Sequence, residues 1–206
     1  MLILEDLSVF SVLARHVHPN DKDPKVRMFK VLRAINYYGY YWQIGAHVRP
    51  KSILEIGVRY GYSAICLIDG AQTNPSYVGI DHEHFPNSNA YALEQIRQHT
   101  TGSVSIIKAT SQRFALNESP PIGTFDLVHL DASHKAEGVL SDLNFAGRHL
   151  KAGGMIIIDD VKVLEVYAAA LTWAGNRHYD VQSVASMTGT LLIWKRSMAK
   201  CEGRWS

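Results

Sequence analysis

The chain reads as an α/β protein: a doubly wound, mostly parallel seven-stranded sheet with an antiparallel last strand. Three observations predict this. Short β-type runs alternate with helix-like runs from Ser52 to Ala174, and that alternation requires crossover helices between parallel strands. Two of the strands, Phe125–Leu130 and Met155–Ile158, read as mostly apolar runs, as strands covered on both faces do. The last two β-type runs, Tyr179–Met187 and Thr190–Lys195, are joined at Thr188-Gly189, which leaves room for a hairpin and none for a helix.

The elements follow in order. A polar segment from His16 to Asp23 links a short N-terminal helix to the body. Asp23-Pro24 supplies a capping carboxylate and a first-turn proline to a helix-like run from Lys25 to Val48, in which Gly39 and Gly45 are weak points. Strands are expected at Ser52–Ile56, Tyr77–Ile80, Val104–Lys108, Phe125–Leu130 and Met155–Ile158. Helices are expected at Tyr62–Ala71, Asn87–Gln98, Ser111–Leu116, Lys135–Leu150 and Val161–Ala174. Residues 1–50 then form N-terminal helices of the same domain, 51–197 carry the sheet and its ligand, and 198–206 are a tail.

A chain of 206 residues suits one domain, and 47% hydrophobic with 19% charged residues is an ordinary globular balance. Lys plus Arg minus Asp plus Glu is 21 − 19 = +2, so nothing demands a nucleic acid or an anionic membrane as partner. No apolar run reaches the ~18 residues that span a bilayer. The apolar start has no basic lead-in and does not read as a signal peptide. Cys66 and Cys201 are expected to be free thiols in a reducing, cytoplasmic setting.

In an open α/β sheet, ligands bind beyond the carboxyl ends of the strands. The first strand ends in the loop Glu55-Ile-Gly57-Val-Arg-Tyr-Gly61-Tyr62-Ser63. Its glycines allow a tight turn and close approach of a ligand, and the helix that Tyr62-Ser63 opens offers free N–H groups to a carboxylate. Asp81 ends the next strand, where an acid can hold both ribose hydroxyls. The third glycine of the dinucleotide fingerprint is missing, which argues against NAD.

The run from Leu54 to Ala64 resembles the first motif of catechol O-methyltransferases and their relatives. These Rossmann-like enzymes also end a parallel sheet with an antiparallel strand. The resemblance implies S-adenosylmethionine as cofactor. Ser63 and the Gly57 backbone would hold its methionine end, Glu55, Gly61 and Tyr62 would be further cofactor-binding residues, and Asp81 would hold the ribose. His82, with Ser111 and Gln112 after the third strand, would flank the adenine.

Three further acids stand at two strand ends: Asp131 after the fourth strand, Asp159 and Asp160 after the fifth. If those strands are neighbours, all three reach the cofactor edge, where like charges raise one another's pKa and a divalent cation removes the conflict. An all-oxygen set favours Mg²⁺, with Mn²⁺ or Ca²⁺ as alternatives. Catechol-type and macrocin-type O-methyltransferases hold a metal with acids in this pattern, so the resemblance assigns Asp131, Asp159 and Asp160 as ligands. Those with a catechol substrate keep a lysine base three residues after the first acid. Here His134 stands at that offset, and histidine titrates close to neutrality. His134 and Asp131 are therefore the expected catalytic pair.

These readings predict a divalent-metal-dependent O-methyltransferase for a small hydroxylated acceptor. With no inserted cap, its acceptor site is open or completed by a second copy in a homodimer. Two alternatives keep the fold: a metal-dependent enzyme resembling the cephalosporin-hydroxylase group, and a non-catalytic nucleotide-binding protein. The aromatic group Tyr37, Tyr38, Tyr40, Tyr41 and Trp42 either covers the acceptor or belongs to the core or a dimer face. Trp173 and Arg177 lie where relatives shape the acceptor pocket.

Overall fold

The structure is a computed structural model that describes residues 37–117, 123–184, 186 and 188–194. The short N-terminal helix, the Asp23-Pro24 helix start and the tail with Cys201 lie outside the described residues. Residues 37–48 lie in helix α1. Then follow β1 (Ser52–Ile56), α2 (Tyr62–Ala71), β2 (Ser76–Asp81), α3 (Ser88–Arg97), β3 (Val104–Lys108) and α4 (Ser111–Asn117). The second half is β4 (Phe125–Leu130), α5 (Ala136–His149), β5 (Leu150–Ile158), α6 (Leu164–Gly175), β6 (Asp180–Val184) and β7 (Thr190–Trp194).

The seven strands lie in the order β3-β2-β1-β4-β5-β7-β6. β1 through β5 pair in parallel, and β7 is antiparallel to both β5 and β6. The hairpin expected at Thr188-Gly189 is therefore present, and its second strand is inserted between β5 and β6. The uniformly buried run Thr190–Ile193 explains why: it takes the inner place, and the half-exposed β6 takes the edge.

Successive strand residues point to opposite faces, and each face buries its own core. Ile53, Leu127, Ile157 and Leu192 face α1, α2 and α3. Leu54, Val128, Ile156 and Ile193 face α5 and α6. On the first face α1 crosses α2 at very short range. A Cβ on Gly45 would lie 2.2 Å from the Leu67 carbonyl oxygen, and one on Gly70 would lie 2.0 Å from that of Trp42. Gly45, a weak point for an isolated helix, is what lets the two backbones touch.

Most boundaries shift by a residue or so and β6 ends at Val184, three residues before the expected Met187; among the starts, those of β5 and α6 differ most from expectation. β5 begins at Leu150 rather than Met155. α6 begins at Leu164, not Val161, because Asp160 adopts a left-handed φ of 56° and the Val163 N–H closes a turn onto the Asp160 carbonyl at 2.9 Å. That turn aims the Asp160 side chain away from the line of the strand.

Candidate active site

The carboxyl ends of β1, β2, β4 and β5 lie side by side, and an open cavity of about 470 Å³ sits above them. Its wall includes Tyr37, Tyr38, Gly57, Arg59, Ser63, Asp81, Asp131, His134 and Asp160. A second recess of about 210 Å³ shares Gly57, Asp81 and His82 with it and adds Thr110, Ser111, Gln112 and Asp142.

The glycine loop is tied down at both ends. The Gly57 N–H donates to the Ile80 carbonyl at 2.9 Å. Gly57 has φ +91°, and a Cβ there would lie 2.3 Å from the Asp131 carbonyl oxygen, so no side chain fits between β1 and β4. Gly61 is the N-cap of α2. Asp81 Oδ2 accepts from the N–H groups of Val58 (2.8 Å) and Arg59 (3.0 Å), and Oδ1 from Glu83 N–H at 2.5 Å. Three of its four lone-pair sites are thus spent on holding the loop, and one is left over.

Glu55 is in neither cavity wall. It is fully buried beneath the loop, on the α1 face of β1. Its Oε1 accepts from Ser63 Oγ at 2.5 Å and lies 2.7 Å from His129 Nδ1; its Oε2 accepts from the Tyr77 hydroxyl. Glu55 and His129 are register partners on β1 and β4. Burial pulls the His129 pKa down, but the hydrogen bond and charge of Glu55, helped by Asp131 and Asp159, carry it above its ordinary value. His129 Nε2 continues to the Tyr41 hydroxyl at 3.2 Å. The expected direct contact of Glu55 with a ligand is thus replaced by an indirect one: Ser63 donates its hydroxyl hydrogen bond to Glu55, so its lone pairs are left for the cavity.

The acid edge also differs from expectation. The group whose ligand atoms converge, all within 4.8 Å of one another, is Asp131, His134 and Asp160. His134 Nε2 lies 2.6 Å from Asp160 Oδ2. Asp159 points the other way and is only 3% exposed. Its Oδ2 accepts from the Tyr37 hydroxyl and its Oδ1 from Thr188 Oγ1 at 2.6 Å. Adjacent residues at a strand end face opposite ways, and this pair divides accordingly. Burial, with Asp159 and Asp160 nearby, pushes the Asp131 carboxyl up to about 7, against a lowering by His129.

At the far recess Ser111 is buried and donates to Asp142 Oδ1, while Gln112 and His82 stand in the wall. Burial pushes the Asp142 carboxyl up to about 6. Trp173 and Arg177 are not part of the cavity. Trp173 is buried, both donate to Asn144 Oδ1 on α5, and the Arg177 guanidinium lies over the indole. Sequence reasoning passed over His129, Asp142 and Arg59. A histidine inside an otherwise apolar strand core was the available signal for the first.

A family model described as a methyltransferase domain matches residues 54–161. No curated protein sequence matches the chain. Among solved structures, the SAH-bound methyltransferase PaMTH1 of Podospora anserina superposes with a TM-score of 0.66 at 17% identity, over 92% of this chain and 88% of that one. An O-methyltransferase from Bacillus cereus in complex with SAH gives 0.64 at 17%, over 95% and 94%. TomG from Streptomyces achromogenes, an O-methyltransferase involved in tomaymycin synthesis and solved with SAM, gives 0.64 at 15%, over 95% and 93%. At such identities these likenesses show the fold, while the family match spans the glycine loop, Asp81 and the acid edge. The chain belongs to the methyltransferase-domain family.

Proposed function

We propose that this methyltransferase moves the sulfonium methyl of S-adenosylmethionine to a hydroxyl of a small acceptor, with a divalent cation held by Asp131, His134 and Asp160. The observation that carries the reading is the convergence of those three groups beside the glycine loop. Three ligand atoms within 4.8 Å of one another would hold a divalent cation with little closure. Two carboxylates and an imidazole replace the expected all-oxygen trio, which moves the preference from Mg²⁺ toward an ion such as Mn²⁺ that accepts nitrogen more readily. When bound, the cation supplies charge that lowers the acceptor hydroxyl's pKa.

The chain's own groups do the rest. The N–H groups at the start of α2 take the cofactor's carboxylate, and the Ser63 lone pairs, freed by Glu55, suit its ammonium. Thr110, Gln112 and His82 flank the adenine recess. Holding donor and acceptor together supplies most of the rate.

A second reading rests on the 2.6 Å contact of His134 with Asp160. Without a cation, Asp160 orients a neutral imidazole by accepting from Nε2, and Nδ1 becomes the general base, worth ~10²–10⁴ in rate. A Mn²⁺ titration of methyl transfer in chelator-treated enzyme separates the two. Activity that rises with Mn²⁺ supports the first; activity indifferent to Mn²⁺ and to chelator supports the second.

A further inference from the structure

The cavity has a second, basic edge that the reading above leaves unused. Arg59 lies in the glycine loop with a left-handed φ of 52°, and its N–H donates to Asp81 Oδ2 at 3.0 Å. Its guanidinium lies 5.0 Å from the Phe85 ring centroid and 5.7 Å from that of Tyr60. Those two rings stack at 5.9 Å and 24°, and Tyr91 meets Tyr60 edge-on at 6.1 Å.

Among the described residues no ion pair includes Arg59. The nearest loop acid, Asp81, gives its carboxylate to backbone N–H groups. Phe85 is 37% exposed and stands with Tyr60 and Arg59 in the cavity wall. Arginine with exposed aromatic rings is the composition of a recognition surface, and a guanidinium already braced on rings loses little freedom when it takes an anion.

Position in the sheet completes the case. Arg59 follows β1 and Phe85 follows β2, whereas Asp131 and Asp160 follow β4 and β5 on the other side of β1. One cavity therefore has an acid end and a basic, aromatic end. We propose that Arg59, with Tyr60 and Phe85, binds a carboxylate or phosphate on a planar acceptor whose hydroxyl faces the acid end. This rests on the methyltransferase reading above. The cofactor's own carboxylate offers the same chemistry, so the test separates the two sources.

Wild type, Arg59→Ala and Arg59→Lys are first titrated with S-adenosylhomocysteine by calorimetry. The SAH-saturated proteins are then titrated with benzoate, phenyl phosphate and neutral benzyl alcohol, followed by protein-observed NMR. The expected result is SAH affinity within about twofold across the three proteins and at least one anion bound about fivefold or more tighter than benzyl alcohol by wild type, as for a charge-assisted contact. Arg59→Ala loses that preference and Arg59→Lys keeps part of it. Equal binding of neutral and anionic probes, no probe binding at all, or an SAH affinity that falls about fivefold in Arg59→Ala overturns the proposal; the last assigns Arg59 to the cofactor. Absence of SAH binding by wild type overturns the proposed function itself.

Discussion

The Tyr37 hydroxyl donates to Asp159 Oδ2. Through it α1, which precedes the first strand, supports the acid edge at the end of the fifth. With Thr188 on the other oxygen, Asp159 is a buried carboxylate satisfied by two hydroxyls and turned from the cavity. Removing one donor leaves a buried oxygen unsatisfied, which costs about 1–3 kcal/mol. Tyr37→Phe is therefore expected to lower unfolding stability by that amount in urea titration. An unchanged midpoint would show that the bond contributes nothing.

The split between neighbours separates two kinds of acid. Asp160→Asn is expected to weaken Mn²⁺ binding at least ~10-fold, since even the outer partners of metal ligands are worth about that much, with little effect on stability because Asp160 is partly exposed. Asp159→Asn is expected to do the reverse. Calorimetric titration of Mn²⁺ into each variant, alongside thermal melts, checks this. Equal loss of cation affinity in both would restore Asp159 as a ligand.

Glu55 acts on the cofactor from beneath. Glu55→Gln puts an amide N–H₂ where Ser63, Tyr77 and His129 now converge, so one hydroxyl has to turn. If Ser63 turns, its lone pairs leave the cavity. S-adenosylhomocysteine affinity is expected to fall ~10-fold, about 1.4 kcal/mol, although Glu55 touches no cavity. Unchanged affinity with lowered stability would reduce Glu55 to a structural role.

Much of this was legible in the sequence for identifiable reasons. Strands covered on both faces leave apolar runs, and the two-residue link before Thr190 admits only a hairpin. The glycine loop was legible because Gly57 has no alternative at that crossing. What was not legible depends on partners distant in sequence. The place of β7 between β5 and β6 follows from competition for the sheet interior. The inward turn of Glu55 toward His129 follows from β1–β4 register. The place of His134 rather than Asp159 in the converging trio goes with a left-handed φ at Asp160, a conformation Asp adopts more readily than most residues but which the residues around it do not signal. The metal-ligand expectation taken from family resemblance thus met a different local geometry.

Stability is expected to depend on pH through groups whose folded pKa is raised: Asp131 at about 7, Asp142 at about 6 and His129 above its ordinary value. A raised folded pKa means that the folded state binds more protons than the unfolded chain, where Asp titrates at ~3.9. Their contribution is complete below the unfolded pKa and is lost as pH rises through the folded one. The melting temperature is therefore expected to fall from about pH 4–5 to pH 7–8. Asp142→Asn is expected to remove its own share, roughly 2–3 kcal/mol between pH 4 and 7, and so to stabilise at pH 8 more than at pH 4. A melting temperature that rises over this range in both proteins contradicts the assignment.

The central claim is that the loop from Glu55 to Ser63, with Asp81, holds S-adenosylmethionine. The most direct measurement is calorimetric titration of the purified chain with S-adenosylmethionine, with NAD as the control. Saturable one-site binding of S-adenosylmethionine in the micromolar range, about −8 kcal/mol, is expected, with none of NAD. No heat of binding with S-adenosylmethionine at high micromolar concentration, or tighter binding of NAD, would contradict it.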